Sequence, residues 1–373
     1  MSISLAHGFS DDVDDVDAAD AALAVARSKL SGPARGALVY LSSSYDPAPV
    51  LQQLSSKLAG IPLIGCTVSG LLIERAHADD GVLVVLIGGD VTCAASLVDL
   101  HVDGVKRAAA AVRELCTSST RLLFVHPMAT ELEGGLIEAV QQAAGDALVV
   151  GGCSGEMSGA GTPLQFFGTR VLTQSMPVLA VSGAFHASCV VGSGWKPIGR
   201  RMRVTSVDGH LVTSLDGKPV FEVLSEFRMS EGIDTLTDTP FAVFPNSASS
   251  AFYIRAVQRI EPGHGLRFLS HIPLGAELQC TVATVEDMMA SAETSATGAL
   301  EQFGATPGLG LVFSCTARKW RFGPSVGEEA RRVSARLPQL PVVGLYVHGE
   351  VGPFSSGHSV LHNQTCATLI VGS

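Results

Sequence analysis

The residues best suited to chemistry cluster where apolar segments run into glycines. Gly65-Cys66-Thr67-Val68-Ser69-Gly70 closes one such segment, Gly152-Cys153-Ser154-Gly155-Glu156 a second, and Gly344 to Glu350 a third. Glycines there let the backbone turn tightly and expose amide N–H groups. Thr67, Ser154, Glu156 and Glu350 set polar side chains among them, and Cys66, Tyr346 and His348 lie in the same loops. A shared ligand site is the expectation, and sharp turns required by the fold are the alternative. Glu156 and Glu350 suit an ammonium or hydroxyl group. Arg318 suits a carboxylate, which its planar fork can hold with two bonds. Cys153 and Cys315, just past strand ends, would be nucleophiles if a helix start or Arg318 lowered their pKa. A small buried apolar residue is the plainer reading of both.

Familiar catalytic motifs do not match. Leu71-Leu72 stands where a phosphate loop needs Lys-Ser/Thr. The spacing at 152–156 is not that of a nucleophile elbow. His348-Gly349-Glu350 has no following P-C-x-x-C. The closest cysteines, Cys93 and Cys116, are 23 residues apart, which excludes zinc-ribbon and c-type haem spacings. The aspartates at 11, 12, 14, 15 and 17 lack the central glycine and distal glutamate of a calcium loop, and read as a helix start. His358 and His362 are four apart but flanked by loop residues, so no metal is expected there. Trp195 and Trp320 read as packing residues, with Trp320 a candidate for exposure.

Three copies of one pattern position these loops. Ala37–Leu41, a helix opened by Asp46-Pro47, and Pro62–Gly65 form the first. Leu122–Val125, a helix through Leu132, Leu136, Ile137 and Val140, and Ala147–Val150 form the second. Gly310–Phe313, a helix capped by a Ser325/Glu328 box, and Pro341–Val343 form the third. Each helical crossover makes its two strands parallel, and trailing strands make the sheets mixed. The middle third is mostly β, with a short helix at 219–227. The 373 residues are 46% apolar and only 16% charged, enough for a large core. The predicted fold is α/β, with mixed sheets packed face to face and helices outside in an αββα-like sandwich. A net charge of −10 argues against nucleic acid as a partner. The longest clean apolar run, Val82–Ile87, is far short of the about 20 residues of a membrane helix. Without a signal sequence and with scattered cysteines, a cytoplasmic protein is expected.

The ordered series resembles the FIST family, an N-terminal module joined to a C-terminal one. It comprises the loops at 65–67 and 152–156, Gly194-Trp195-Lys196-Pro197-Ile198-Gly199, Leu215-Asp216-Gly217-Lys218-Pro219, Phe313-Ser314-Cys315 with Arg318, Tyr346 to Pro353, and Asn363-Gln364-Thr365. The polar, turn-rich region around Arg228–Asp238 is the candidate boundary, which gives residues 1–228 as the N-terminal and 229–373 as the C-terminal domain. The resemblance implies a sensory role with a small ligand, an amino acid being the class suggested. The output partner would be a separate chain such as a histidine kinase or diguanylate cyclase. Some members resemble haem proteins that sense nitric oxide, which makes haem the alternative cofactor and His126 and His348 the residues to test. A cysteine-dependent enzyme is the further alternative.

Overall fold

A computed structural model describes residues 3–128, 132, 134–156, 161–226, 239–354 and 357–373. The chain is built from three similar units. The first comprises β1 (Ile3–Ser10), α1 (Asp15–Lys29), β2 (Ala34–Ser42), α2 (Pro47–Lys57), β3 (Leu63–Val68), β4 (Leu71–Ile73), β5 (Ala76–Ala78) and β6 (Val82–Gly89). The second comprises β7 (Val91–Asp99), α3 (Gly104–Leu115), β8 (Thr120–Val125), α4 (Leu136–Ala144), β9 (Leu148–Gly152), β10 (Gln165–Phe167), β11 (Arg170–Leu172) and β12 (Ser175–Gly183).

The third opens with β13 (His186–Gly192) and is then interrupted by a β-rich insertion. This holds β14 (Lys196–Asp208), β15 (Leu211–Leu215), β16 (Lys218–Pro219), α5 (Val220–Ser225), β17 (Phe241–Phe244), β18 (Tyr253–Arg255), β19 (Val257–Glu261), β20 (Gly265–Phe268) and β21 (Glu277–Val282). The unit resumes with α6 (Val285–Phe303), β22 (Pro307–Cys315), α7 (Thr316–Phe322), α8 (Val326–Arg336), β23 (Val342–Val347), β24 (Glu350–Pro353), β25 (Ser359–His362) and β26 (Cys366–Gly372).

Each unit forms a sheet with its second and third strands parallel, and each lends its hairpin to a neighbour. The sheet orders are β1-β6-β2-β3-β10-β11, β7-β12-β8-β9-β24-β25 and β13-β26-β22-β23-β4-β5. The exchange is cyclic, so the segments leaving β3, β9 and β23 must cross near one axis. The ring closes at the termini, where the Ser373 hydroxyl donates to the Ile3 carbonyl at 3.4 Å.

The apolar composition follows from this layering. One core takes side chains from the inner faces of all three sheets, including Leu38, Phe124 and Phe313. Three further cores lie between each sheet and its own helices. Within β6, Leu83, Val85 and Ile87 face the shared core while Val82, Val84 and Leu86 face α1 and α2, so the strand has no polar side. The fold is thus the expected mixed α/β sandwich with outer helices, with three sheets around the common core.

Several local expectations need correction. Helix α1 starts at Asp15, inside the aspartate run and not at its head, because β1 runs through Ser10 and the Asp14 carboxylate accepts from the amides of Val16 and Asp17. Leu132 lies outside α4. Ser325 caps α8 without a side-chain bond, and Glu328 instead holds Arg331 and Arg332, so the capping box is not formed. Asp46-Pro47 does open α2 as N-cap and first residue. Trp195 is buried and Trp320 is 58% exposed. The anticipated boundary at 228/229 lies outside the described residues.

Candidate functional site

The three glycine loops do come together, and they close on each other. Ser69 N donates to Tyr346 O and Tyr346 N to Gly70 O, each at 2.9 Å. Gly155 N donates to Thr67 O at 2.9 Å, Cys153 N to Gly349 O at 2.8 Å, and His348 N to Cys153 O at 3.2 Å. Cys66, Thr67, Cys153, Ser154, Glu156, Tyr346 and Glu350 are all buried in this junction. The amides of Ser69, Cys153, Gly155, Tyr346 and His348, expected to be exposed, are therefore used within the protein. The glycines have a geometric reason: Gly65, Gly151 and Gly344 pair with Val39, Val125 and Val312 on the preceding parallel strands. A Cβ at those positions would sit 1.7, 2.1 and 2.7 Å from the respective carbonyl oxygens.

Arg318 is fully buried, and its fork is already occupied. Nη2 donates to Glu329 Oε1 at 2.6 Å and to Met288 O at 2.9 Å, while Nε reaches the same carboxylate oxygen at 3.1 Å. Nη1 donates to Ser193 O at 3.2 Å. The other oxygen of Glu329 accepts from Ser314 and Tyr346. The thiols of Cys153 and Cys315 are pushed up by burial and then by the nearby Glu350 carboxyl, the reverse of activation. His126 is enclosed, with Nε2 on Tyr40 Oη at 3.0 Å and Nδ1 on Gly152 O at 3.1 Å, so neither nitrogen is left for iron. His348 Nε2 accepts from Glu156 N at 3.4 Å. These histidines do not fit an axial haem ligand. The described residues hold no group of three His, Cys, Asp or Glu that could bind a metal.

Glu350 is the unusual member of the junction. Its Oε2 accepts from Thr365 N at 3.0 Å and Thr365 Oγ1 at 2.7 Å, while among the described residues its buried Oε1 has no partner at ordinary hydrogen-bond geometry, the Cys315 thiol being the polar group beside the carboxyl. Burial pushes its carboxyl up to about 8, against hydrogen bonds from Thr365 that pull it down. A carboxyl that binds its proton more tightly folded than unfolded stabilises fully below the unfolded value and loses that contribution as pH rises to the folded one. Buried histidines lowered to about 4, such as His126 and His362, act oppositely below their unfolded 6.5. The unfolded-state protonation of these histidines still opposes the Glu350 slope near pH 7, so its contribution is read as the difference between the parent and Glu350→Gln. Urea unfolding is expected to show parental stability falling relative to that variant as pH rises from 6.5 to about 8. An unchanged slope in the variant would assign the titration elsewhere.

Thr365 connects Glu350 to an open space. A cleft of about 480 Å³ lies where the ring meets the insertion. The ring contributes Val191, Ser193, Pro353, Phe354, His362 and Thr365, and Gln302 comes from α6. The insertion contributes Phe252, Tyr253 and Ile254. The Tyr253 and Phe354 rings meet edge to face with centroids 5.6 Å apart. Of these residues, the sequence motifs include only Pro353, His362 and Thr365. The remaining wall comes from four distant stretches whose meeting no local pattern announces.

The FIST N domain model matches residues 37–218 and the FIST C domain model residues 222–353. An uncharacterized protein of Mycobacterium tuberculosis is 27% identical, with 97% of this chain and 98% of the relative covered. An uncharacterized protein of Mycobacterium bovis is 24% identical, with 92% of each covered. Among solved structures, a cyanuric acid hydrolase from A. caulinodans covers 99% of both chains at 12% identity, with a TM-score of 0.29, too slight to carry an argument.

Proposed function

The chain belongs to the FIST family, and on that premise we propose that it is a cytoplasmic small-molecule sensor whose ligand sits in the cleft between ring and insertion. FIST domains are sensory modules of signal transduction. The signal would pass to a separate protein, such as a histidine kinase or diguanylate cyclase. No helix among the described residues is long and apolar enough to cross a membrane.

The observation that carries the reading is the position of the cleft. Its volume suits a small ligand. Its walls come from both the ring and the insertion, so occupancy would fix one against the other. Its Thr365 wall is the residue that holds Glu350 in the junction of the three units. The buried, poorly ionised thiols favour binding over cysteine catalysis. The junction loops would then transmit rather than bind.

A thermal-shift screen of the full chain against common metabolites tests this. A ligand of the native state stabilises by RT ln(1 + [L]/Kd), about 2.7 kcal/mol at 100 times Kd. Phe354→Ala is expected to abolish the shift given by any hit. An equal shift in the variant would move the ligand out of the cleft.

A further inference from the structure

We propose that a second cavity, which shares Tyr253 with the cleft, binds a small carboxylate on Arg255. This site stands apart from the cleft and does not depend on what the cleft holds. The cavity, of about 40 Å³, lies between the start of α4 and the insertion, with Arg255, Ser270, His271 and Glu138 in its lining. Arg255 is only 4% exposed. Its guanidinium stacks 4.2 Å from the centre of the Tyr253 ring. Nε donates to His271 O at 3.3 Å, and Nη1 donates to Leu361 O at 2.6 Å and Ile254 O at 3.2 Å. All three acceptors are neutral carbonyls. They occupy Nε and Nη1 and leave Nη2, among the described residues, without an acceptor. A buried cation is costly unless an opposite charge answers it. Arg318 has that answer in Glu329. Burial lowers the pKa of Arg255, whereas against the same burial Glu329 lifts that of Arg318.

The rest of the lining suits an anion. Helix α4 begins at the cavity, and its N-cap, Gly135, gives its first amides no side-chain bond. Those amides carry the partial positive charge of a helix start. Gly134 brings that start against the insertion: a Cβ there would sit 2.5 Å from His271 Cγ. Ser270, buried in the same lining, offers a hydroxyl to donate. Glu138 is the opposing charge, and it is exposed to water, which screens it. Size selects the anion. At roughly 10–15 Å³ per water the cavity takes about three waters, which matches the three heavy atoms of a carboxylate and falls short of the five of a phosphate. The planar fork of Arg255 matches a carboxylate in the same way.

The test titrates sodium acetate into the full chain at pH 7 and constant ionic strength, with chloride, acetamide and phosphate as controls, and follows thermal unfolding. Acetate is expected to raise Tm saturably, and the three controls are not. Ser270→Ala is expected to weaken acetate about tenfold, the worth of one hydrogen bond to a charged group. Glu138→Gln is expected to strengthen it about threefold by removing the opposing charge. Both variants keep Arg255 and its bonds, so the fold is preserved. Phe354→Ala is expected to leave acetate binding unchanged, and repeating the metabolite screen with acetate at saturation reads the cleft separately. Acetamide or chloride acting as strongly as acetate, or no saturable effect of acetate up to about 50 mM, would overturn the anion site. Phosphate binding tighter than acetate would overturn the carboxylate. Acetate binding unaltered in both Ser270→Ala and Glu138→Gln, or lost in Phe354→Ala, would overturn the placement.

Discussion

Gly65→Ala is expected to leave little folded protein. The added methyl would sit 1.7 Å from the Val39 carbonyl oxygen, inside a parallel pair that cannot separate without breaking its ladder. Backbone, not a mobile side chain, is what it meets. The cost should exceed about 3 kcal/mol, the upper end of overpacking effects. The three related glycines predict an order. Gly151→Ala should be nearly as severe, since its Cβ falls 2.1 Å from Val125 O and its φ is +146°. Gly344→Ala should be mildest, with 2.7 Å to Val312 O. Urea midpoints and soluble yield of the three variants measure this. A reversed order, or a Gly65→Ala protein within about 1 kcal/mol of the parent, would show that these glycines serve something other than strand approach.

The second large effect is at Arg318. Removing one partner of a buried ion pair leaves the other charge uncompensated, at a cost of about 3–5 kcal/mol. Arg318→Ala and Glu329→Gln should each fall in that range without any ligand present. Arg318→Met with Glu329→Leu should cost less than the two single changes summed, because neither charge is then stranded. Denaturant unfolding of the four proteins checks this. An Arg318→Ala protein with parental stability but no ligand-induced shift would instead return Arg318 to the ligand.

Much of the architecture was legible because it repeats. The strand–helix–strand–glycine pattern recurs at 37–70, 122–156 and 310–350, and glycine at the close-approach position is a local demand visible in one dimension. Helix α6 was not legible. Its buried stripe runs from Met288 and Met289 through Ala292, Ser295, Ala296 and Ala299 to Phe303, and the small residues in its middle contrast little with their neighbours. Strand β1 was overlooked for a different reason: its pairing with β6 across about 80 residues gives it its role. The hairpin exchange is equally non-local. For the candidate site, the convergence of the loops could be anticipated from their being copies. That they consume one another's amides could not. Arg318 looked available because its partner, Glu329, lies on another helix.

The central claim is that a small molecule occupies the cleft between the ring and the insertion. It is tested most directly by a crystal structure of the full chain grown with the compound giving the largest thermal shift. The account predicts ligand density against Phe252, Phe354 and Thr365. Density at the buried junction of the three glycine loops, or on the outer surface with this cleft filled only by solvent, would contradict it.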